Sequence, residues 1–200
     1  MLIVITSETA LEQEIESLNR LFVYGLETLH IRKPRLEKEA LKNYLELIDV
    51  KNHNKIMLHQ HHELASEFNV KGIHLTEKHR KMLENDSEYI KNHQKMGRGV
   101  STGFHSISAL KKEGANYDYS FLSPVFNSIS KENYQGKEFE VTAFPIKVIA
   151  LGGITSATIS EVKKMGYQGV AILGSIWQSK HPVTAYKELQ KVYKNVFYVG

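Results

Sequence analysis

The chain has 200 residues, 42% hydrophobic and 24% charged, with a formal net charge of +4. That length buries one good core, and no linker-like stretch divides it, so a single domain over residues 1–200 is expected. The absence of cysteine excludes a disulfide framework, thiolate metal sites and cysteine nucleophiles, while the dispersed Lys and Arg favour anionic small molecules and argue against nucleic acid.

Leu2–Thr6 reads as the first strand. It has no basic, apolar leader around it, and no later run reaches the ~18 apolar residues of a membrane span, so a cytoplasmic protein without membrane contact is expected. Ser7 or Thr9 is placed to cap a helix that carries Leu11, Ile15, Leu18 and Phe22 on one face and stops at Gly25. Thr28–Arg32 is the second strand, closed by Lys33-Pro34 because proline cannot donate to a ladder. A helix from Leu36 to about Val50 aligns Leu41, Leu45 and Ile48. Lys55–His59 is the third strand, a short helix runs through Leu64, Ala65 and Phe68, and Gly72–Leu75 is the fourth strand.

Residues 76–97 are polar and weakly periodic, which predicts irregular structure or a poor helix. Gly99–Thr102 supplies the fifth strand, with a helix over His105–Glu113, and Tyr119–Leu122 supplies the sixth. A Ser/Asn/Lys/Gly-rich stretch then runs to about Glu138; a loop of that length in a compact fold is a lid or a disordered segment. Val148–Leu151 and Gly169–Ile172 are short apolar runs that end in Gly152-Gly153 and, after Leu173, in Gly174-Ser175, with a helix over Ser156–Met165 between them. Pro182–Tyr193 closes the chain as a helix with Ala185, Leu189 and Val192 inward. Eight such strands alternating with helices predict an α/β fold, a compact (β/α)8 TIM barrel, which begins at about 200 residues. The alternative is an open doubly wound sheet, and no Gly-x-Gly-x-x-Gly turn follows the first strand.

In such a barrel the site lies at the C-terminal strand ends. The residues there are Thr6, Arg32, Lys33, His59 to His62, His74, Thr76, Ser101, Thr102, Ser123 to Lys131, Gly152, Gly153, Gly174 and Ser175. Cations and backbone donors prevail over carboxylates, the composition of a phosphate or pyrophosphate pocket. Gly152-Gly153 and Gly174-Ser175 fall on the loops that commonly hold phosphate. Arg32 can bind phosphate bidentately, and Lys131 on the long loop can close over a charged substrate. His59-x-His61 has a zinc-ligand spacing, but no third ligand is evident after strands 5 to 8, so neutral hydrogen-bonding or acid–base histidines are preferred. His74, between Ile73 and Leu75, points either into the barrel or into the helix layer.

The chain resembles the thiamine phosphate synthases and the similar TenI-type thiazole tautomerases. The resemblance rests on Leu29-His-Ile-Arg-Lys-Pro34, Gly72-Ile-His-Leu75, Ser101 before His105, Tyr117-Asp-Tyr119 leading to Ser123-Pro-Val-Phe126 and Ser130-Lys131, Ala150-Leu-Gly-Gly-Ile154, and Gly169-Val-Ala-Ile-Leu-Gly-Ser175. It implies a transferase that joins hydroxymethylpyrimidine diphosphate to thiazole phosphate and releases pyrophosphate. Arg32 would grip the diphosphate, Ser101 and Lys131 would assist its departure, and Gly152, Gly153, Gly174 and Ser175 would hold the thiazole phosphate. His30, Lys33, Ser123 and Ser130 join the substrate-binding set. The synthases usually carry Gln at the position of His30 and a Lys where Pro34 stands. The Mg2+ that synthase activity implies relies on acids whose positions here are Gln60 and His79, poor Mg2+ ligands. The tautomerase alternative needs no metal. Its proton-shuttling histidine falls on Pro124, so His59, His74 or His30 would have to act. A barrel that binds thiazole or thiamine phosphate without turnover is the third expectation, and a homo-oligomer stays open.

Overall fold

The computed structural model describes residues 1–83, 86–127, 136–137, 139–141 and 144–198. Eight parallel strands close into a barrel in sequence order: β1 Leu2–Ile5, β2 Leu29–Ile31, β3 Ile56–Leu58, β4 Gly72–Leu75, β5 Gly99–Phe104, β6 Tyr119–Leu122, β7 Val148–Leu151 and β8 Gly169–Ile172. β1 pairs with both β2 and β8, so no edge is left open. The helices are α1 Glu14–Val23, α2 Lys38–Glu46, α3 Leu64–Glu67, α4 Glu77–Met82, α5 Asp86–Lys95, α6 Ile107–Glu113, α7 Ile159–Lys164, α8 Gly174–Trp177 and α9 Pro182–Tyr198. No helix among the described residues is long and apolar enough to cross a membrane.

Strand residues alternate between two cores, as a two-residue period demands. Val4, Leu29, Ile31, Ile56, Leu58, Ile73 and Leu75 face outward and pack under the helices, while Ile3, Ile5, Met57, Tyr119, Phe121, Ile149 and Ala171 fill the barrel. His74 therefore points into the barrel, since its neighbours Ile73 and Leu75 belong to the outer core.

Several expectations are corrected. Neither Ser7 nor Thr9 caps α1, which begins at Glu14 after Gln13 in a left-handed conformation. The reason is Glu14 itself: its carboxylate is buried, accepts from the Ser7 N–H at 3.2 Å and pairs with Lys33 at 2.5 Å, so Ser7–Gln13 wraps back over it. Leu11 is left exposed on that wrap instead of facing the core. α2 ends at Glu46, and a 3-10 turn over Val50–Lys55 leaves Val50 in solvent. Residues 76–97 contain two short helices, the first capped by Thr76 Oγ1 accepting from His79 N–H. Their weak pattern has a physical reason: the inward groups are largely rings, His79, Tyr89 and His93, grouped around His62, with Ile90 the buried aliphatic residue. α8 was not expected, and α9 runs on to Tyr198 with Tyr186, Leu189 and Tyr193 as its buried stripe, while Ala185 and Val192 are half-buried.

Candidate functional site

A cavity of about 340 Å3 opens at the C-terminal ends of the strands. Its wall on the β7–β8 side has Gly152, Gly153 and Gly174 set among Leu151, Ile154 and Leu173. Gly152 and Gly153 follow β7 with φ of +100° and +66°, in the region that glycine reaches without strain. A Cβ on Gly153 would lie 2.5 Å from the Asn127 carbonyl oxygen, so the turn seats the loop after β6 as well as facing the cavity. After β8, Gly174 opens the short helix α8. The Leu173 carbonyl takes the Ile176 and Trp177 N–H groups, and the Gly174 and Ser175 N–H groups come before the first of those bonded donors. Loops after strands 7 and 8 together with a short extra helix are the common phosphate site of barrels.

Arg32, after β2, lines the same cavity from across the mouth and is ion-paired with Glu8. Ser123 lines it also, beside His105, whose Nδ1 lies 2.9 Å from the Ser123 carbonyl oxygen. The floor is made of imidazoles. His59 and His74 stack with centroids 4.1 Å apart and both reach the cavity. Beneath them, His30 Nδ1 shares a hydrogen bond with His59 Nε2 at 2.9 Å, and His30 Nε2 meets the Tyr119 hydroxyl at 2.6 Å. His74 Nδ1 meets Ser101 Oγ at 2.9 Å. Burial holds His74 down to about 3 and keeps His30 and His59 well below the ordinary histidine range, with neighbouring histidines adding to it, Arg32 acting on His59 and His74 and Lys71 on His30. All three are neutral at pH 7.

The sequence-derived residues fall into three groups. Arg32, His59, His74, Ser123, Gly152, Gly153 and Gly174 share the cavity wall. Four others stand behind it. His30 and Ser101 are fully buried under the floor, Lys33 is 2% exposed and committed to Glu14, and Ser175 Oγ donates to the Ile154 carbonyl at 2.8 Å. Lys33 therefore does not reach for phosphate, and Ser101 supports His74 instead of meeting a leaving group. Ser130 and Lys131 lie outside the described residues. Of the His59–His62 run, His61 turns away and donates to the Leu36 carbonyl, and His62 packs outward against His79. The third imidazole beside His59 and His74 is His30, from β2, and not His61.

Sequence reasoning missed Glu8, Glu77 and Tyr119. The two acids line the cavity, contrary to the expected shortage of carboxylates. Glu8 sits three residues beyond the end of β1, and Glu77 opens a helix in the stretch expected to be irregular. Tyr119 was within reach, because a period of two from Phe121 puts it inside the barrel.

Residues 2–176 match the thiamine monophosphate synthase family. The chain belongs to this family. A thiamine-phosphate synthase of Flavobacterium johnsoniae is 24% identical over 206 residues, covering 96% of each chain. One from Anoxybacillus flavithermus is 28% identical over 106 residues, 49% of this chain and 46% of that protein. Matches to the relatives from Anoxybacillus flavithermus and Salinibacter ruber thus cover less than half of those proteins, 46% and 40%. The crystal structure of a thiamine phosphate pyrophosphorylase from Bacteroides thetaiotaomicron superposes with a TM-score of 0.75 at 29% identity, covering 97% of this chain and 98% of that one.

The Mg2+ that this family implies finds no suitable donors among the described residues. Gln60 Nε2 donates to the Lys33 carbonyl, and His79 stacks on His62 at 4.8 Å. The cavity carboxylates, Glu8 and Glu77, are each bound to a cation, Arg32 and Lys81. Mg2+ needs oxygen ligands in near-octahedral order, and this set does not supply them.

Proposed function

We propose that the protein is a transferase of thiamine assembly that joins a hydroxymethylpyrimidine diphosphate to a thiazole phosphate. The observation that carries this reading is a single cavity with Gly152, Gly153 and Gly174 on one wall and Arg32 on the wall across from them. The glycine wall suits a monoester phosphate, which N–H groups bind without a bulky cation. The Arg32 guanidinium suits a diphosphate, whose paired oxygens match its fork. In the reaction the bond between the pyrimidine methylene carbon and the diphosphate oxygen breaks, pyrophosphate leaves with the bonding electrons, and the thiazole nitrogen attacks the carbon. Arg32 stabilises charge that grows on the leaving oxygen, and releasing Glu8 to solvent frees the guanidinium for it. Ser130 and Lys131 belong to this reading as further groups for the leaving pyrophosphate.

The test is pyrophosphate release from both precursors together, with Mg2+ and with chelator. Turnover that needs both precursors supports the transferase, and no release under either condition removes it.

One observation favours a second reading. His59 and His74 form a neutral imidazole pair on the cavity floor, linked through His30 to Tyr119. Neutral, hydrogen-bonded imidazoles can accept and return a proton, as a thiazole tautomerase requires. Isomerisation of a thiazole carboxylate phosphate that survives in both His59→Ala and His74→Ala variants would sink this mechanism.

A further inference from the structure

The floor of the cavity is built from nitrogen donors on three successive strands. His30 lies on β2, His59 follows β3 and His74 lies on β4. A ring nitrogen from each lies within 4.8 Å of the other two, and all three residues are buried. Their remaining nitrogens are largely tied. Tyr119 holds His30 Nε2 at 2.6 Å, and Ser101 holds His74 Nδ1 at 2.9 Å. That leaves His30 Nδ1 and His74 Nε2 toward the shared space, with His59 Nε2 already 2.9 Å from His30 Nδ1.

We propose that His30, His59 and His74 form a binding site for a divalent transition-metal ion of the zinc class. Four observations favour an ion over a purely structural imidazole cluster. First, tetrahedral coordination at 2.0–2.1 Å puts ligand nitrogens about 3.3 Å apart. The His30–His59 pair needs to open by only about 0.4 Å for the ion to replace its shared proton, and the widest gap closes by about 1.5 Å. Second, the hydroxyls on His30 and His74 are the outer partners that ligating histidines use to fix ring orientation. Third, His59 Nδ1 is buried without a partner, so the cluster is not satisfied by its own hydrogen bonds. Fourth, His59 and His74 line the cavity, which leaves a fourth position open to water or to an oxygen of a bound anion, the arrangement of catalytic rather than structural zinc. An all-imidazole donor set selects zinc, cobalt, nickel or copper, and rejects Mg2+. The site is independent of the transferase reading, because it requires no particular substrate.

The test uses Co2+ and Zn2+ alone on the full chain stripped with chelator, at pH 7. One equivalent of Zn2+ per chain is expected by calorimetry, and Co2+ is expected to give the intense visible absorption of a four-coordinate ion. His30→Gln, His59→Ala and His74→Ala should each weaken binding at least 100-fold. His79→Ala, in the outer ring cluster, should leave it unchanged. Circular dichroism identifies any variant that fails to fold, and the unaltered protein then decides alone. Absence of the Co2+ band, or binding that persists in the folded His59→Ala variant, overturns the proposal.

Discussion

The two sides of the cavity mouth are built by different means. On the β7–β8 side the groups that face the ligand are backbone, at Gly152, Gly153 and Gly174, and their positions follow from turn conformation. On the β2–β4 side they are side chains, Arg32, His59 and His74, and their positions follow from what packs behind them. A backbone wall tolerates almost no side chain, whereas a side-chain wall changes chemistry through single substitutions. The same barrel thus keeps a glycine wall while its opposite wall carries one guanidinium and two imidazoles.

The largest effect should come from breaking the glycine wall. Gly153→Val combines a left-handed backbone with a clash against Asn127 and Phe126, and it should cost about 3 kcal/mol of stability in a urea titration. It should also weaken thiazole phosphate binding at least tenfold by calorimetry. Unchanged affinity in a folded variant would show that phosphate is held elsewhere. On the opposite wall, Arg32→Ala removes charge-assisted bonds worth about 1.5–3 kcal/mol, so KM for the pyrimidine diphosphate should rise about 10- to 100-fold. Thiazole phosphate affinity should stay constant, and a parallel loss of both would erase the division between the walls.

The imidazole side should also carry an acid sensitivity that the glycine side lacks. His62, behind the floor, is held down to about 3 by burial first and by His79 and His93 next, against 6.5 for a free histidine. Between those values the unfolded chain binds a proton that the folded chain refuses. The stabilisation is complete above pH 6.5 and is lost as pH falls toward 3. From pH 7 to pH 5 the loss from His62 alone is on the order of 2 kcal/mol, visible as a falling thermal midpoint. His62→Gln should flatten that fall, and an unaltered slope would place the sensitivity elsewhere. The smallest effect is expected for Ser175→Ala, which removes one hydrogen bond to the Ile154 carbonyl and should cost about 1 kcal/mol in the same urea titration with little change in turnover.

By itself the sequence pointed to the barrel, because eight short β-rich runs alternating with helix-length segments have few alternatives. It also pointed to the glycine wall, since a glycine directly after a strand marks a tight turn at the strand's end. Arg32 and His59 were placed at the mouth because they stand at strand ends, whereas the side that His74 faces stayed open between the barrel and the helix layer. Only the tertiary structure decided what stands behind them. Lys33 is adjacent to Arg32 in sequence yet turns back to Glu14, because that buried carboxylate holds its ammonium at 2.5 Å. His61 is closer to His59 in sequence than His30 is, but parallel pairing brings the β2 histidine to 2.9 Å and sends His61 to Leu36. Neighbours across a parallel sheet are separated by a whole crossover, so no local spacing encodes them, and the imidazole floor exists only once the barrel has closed.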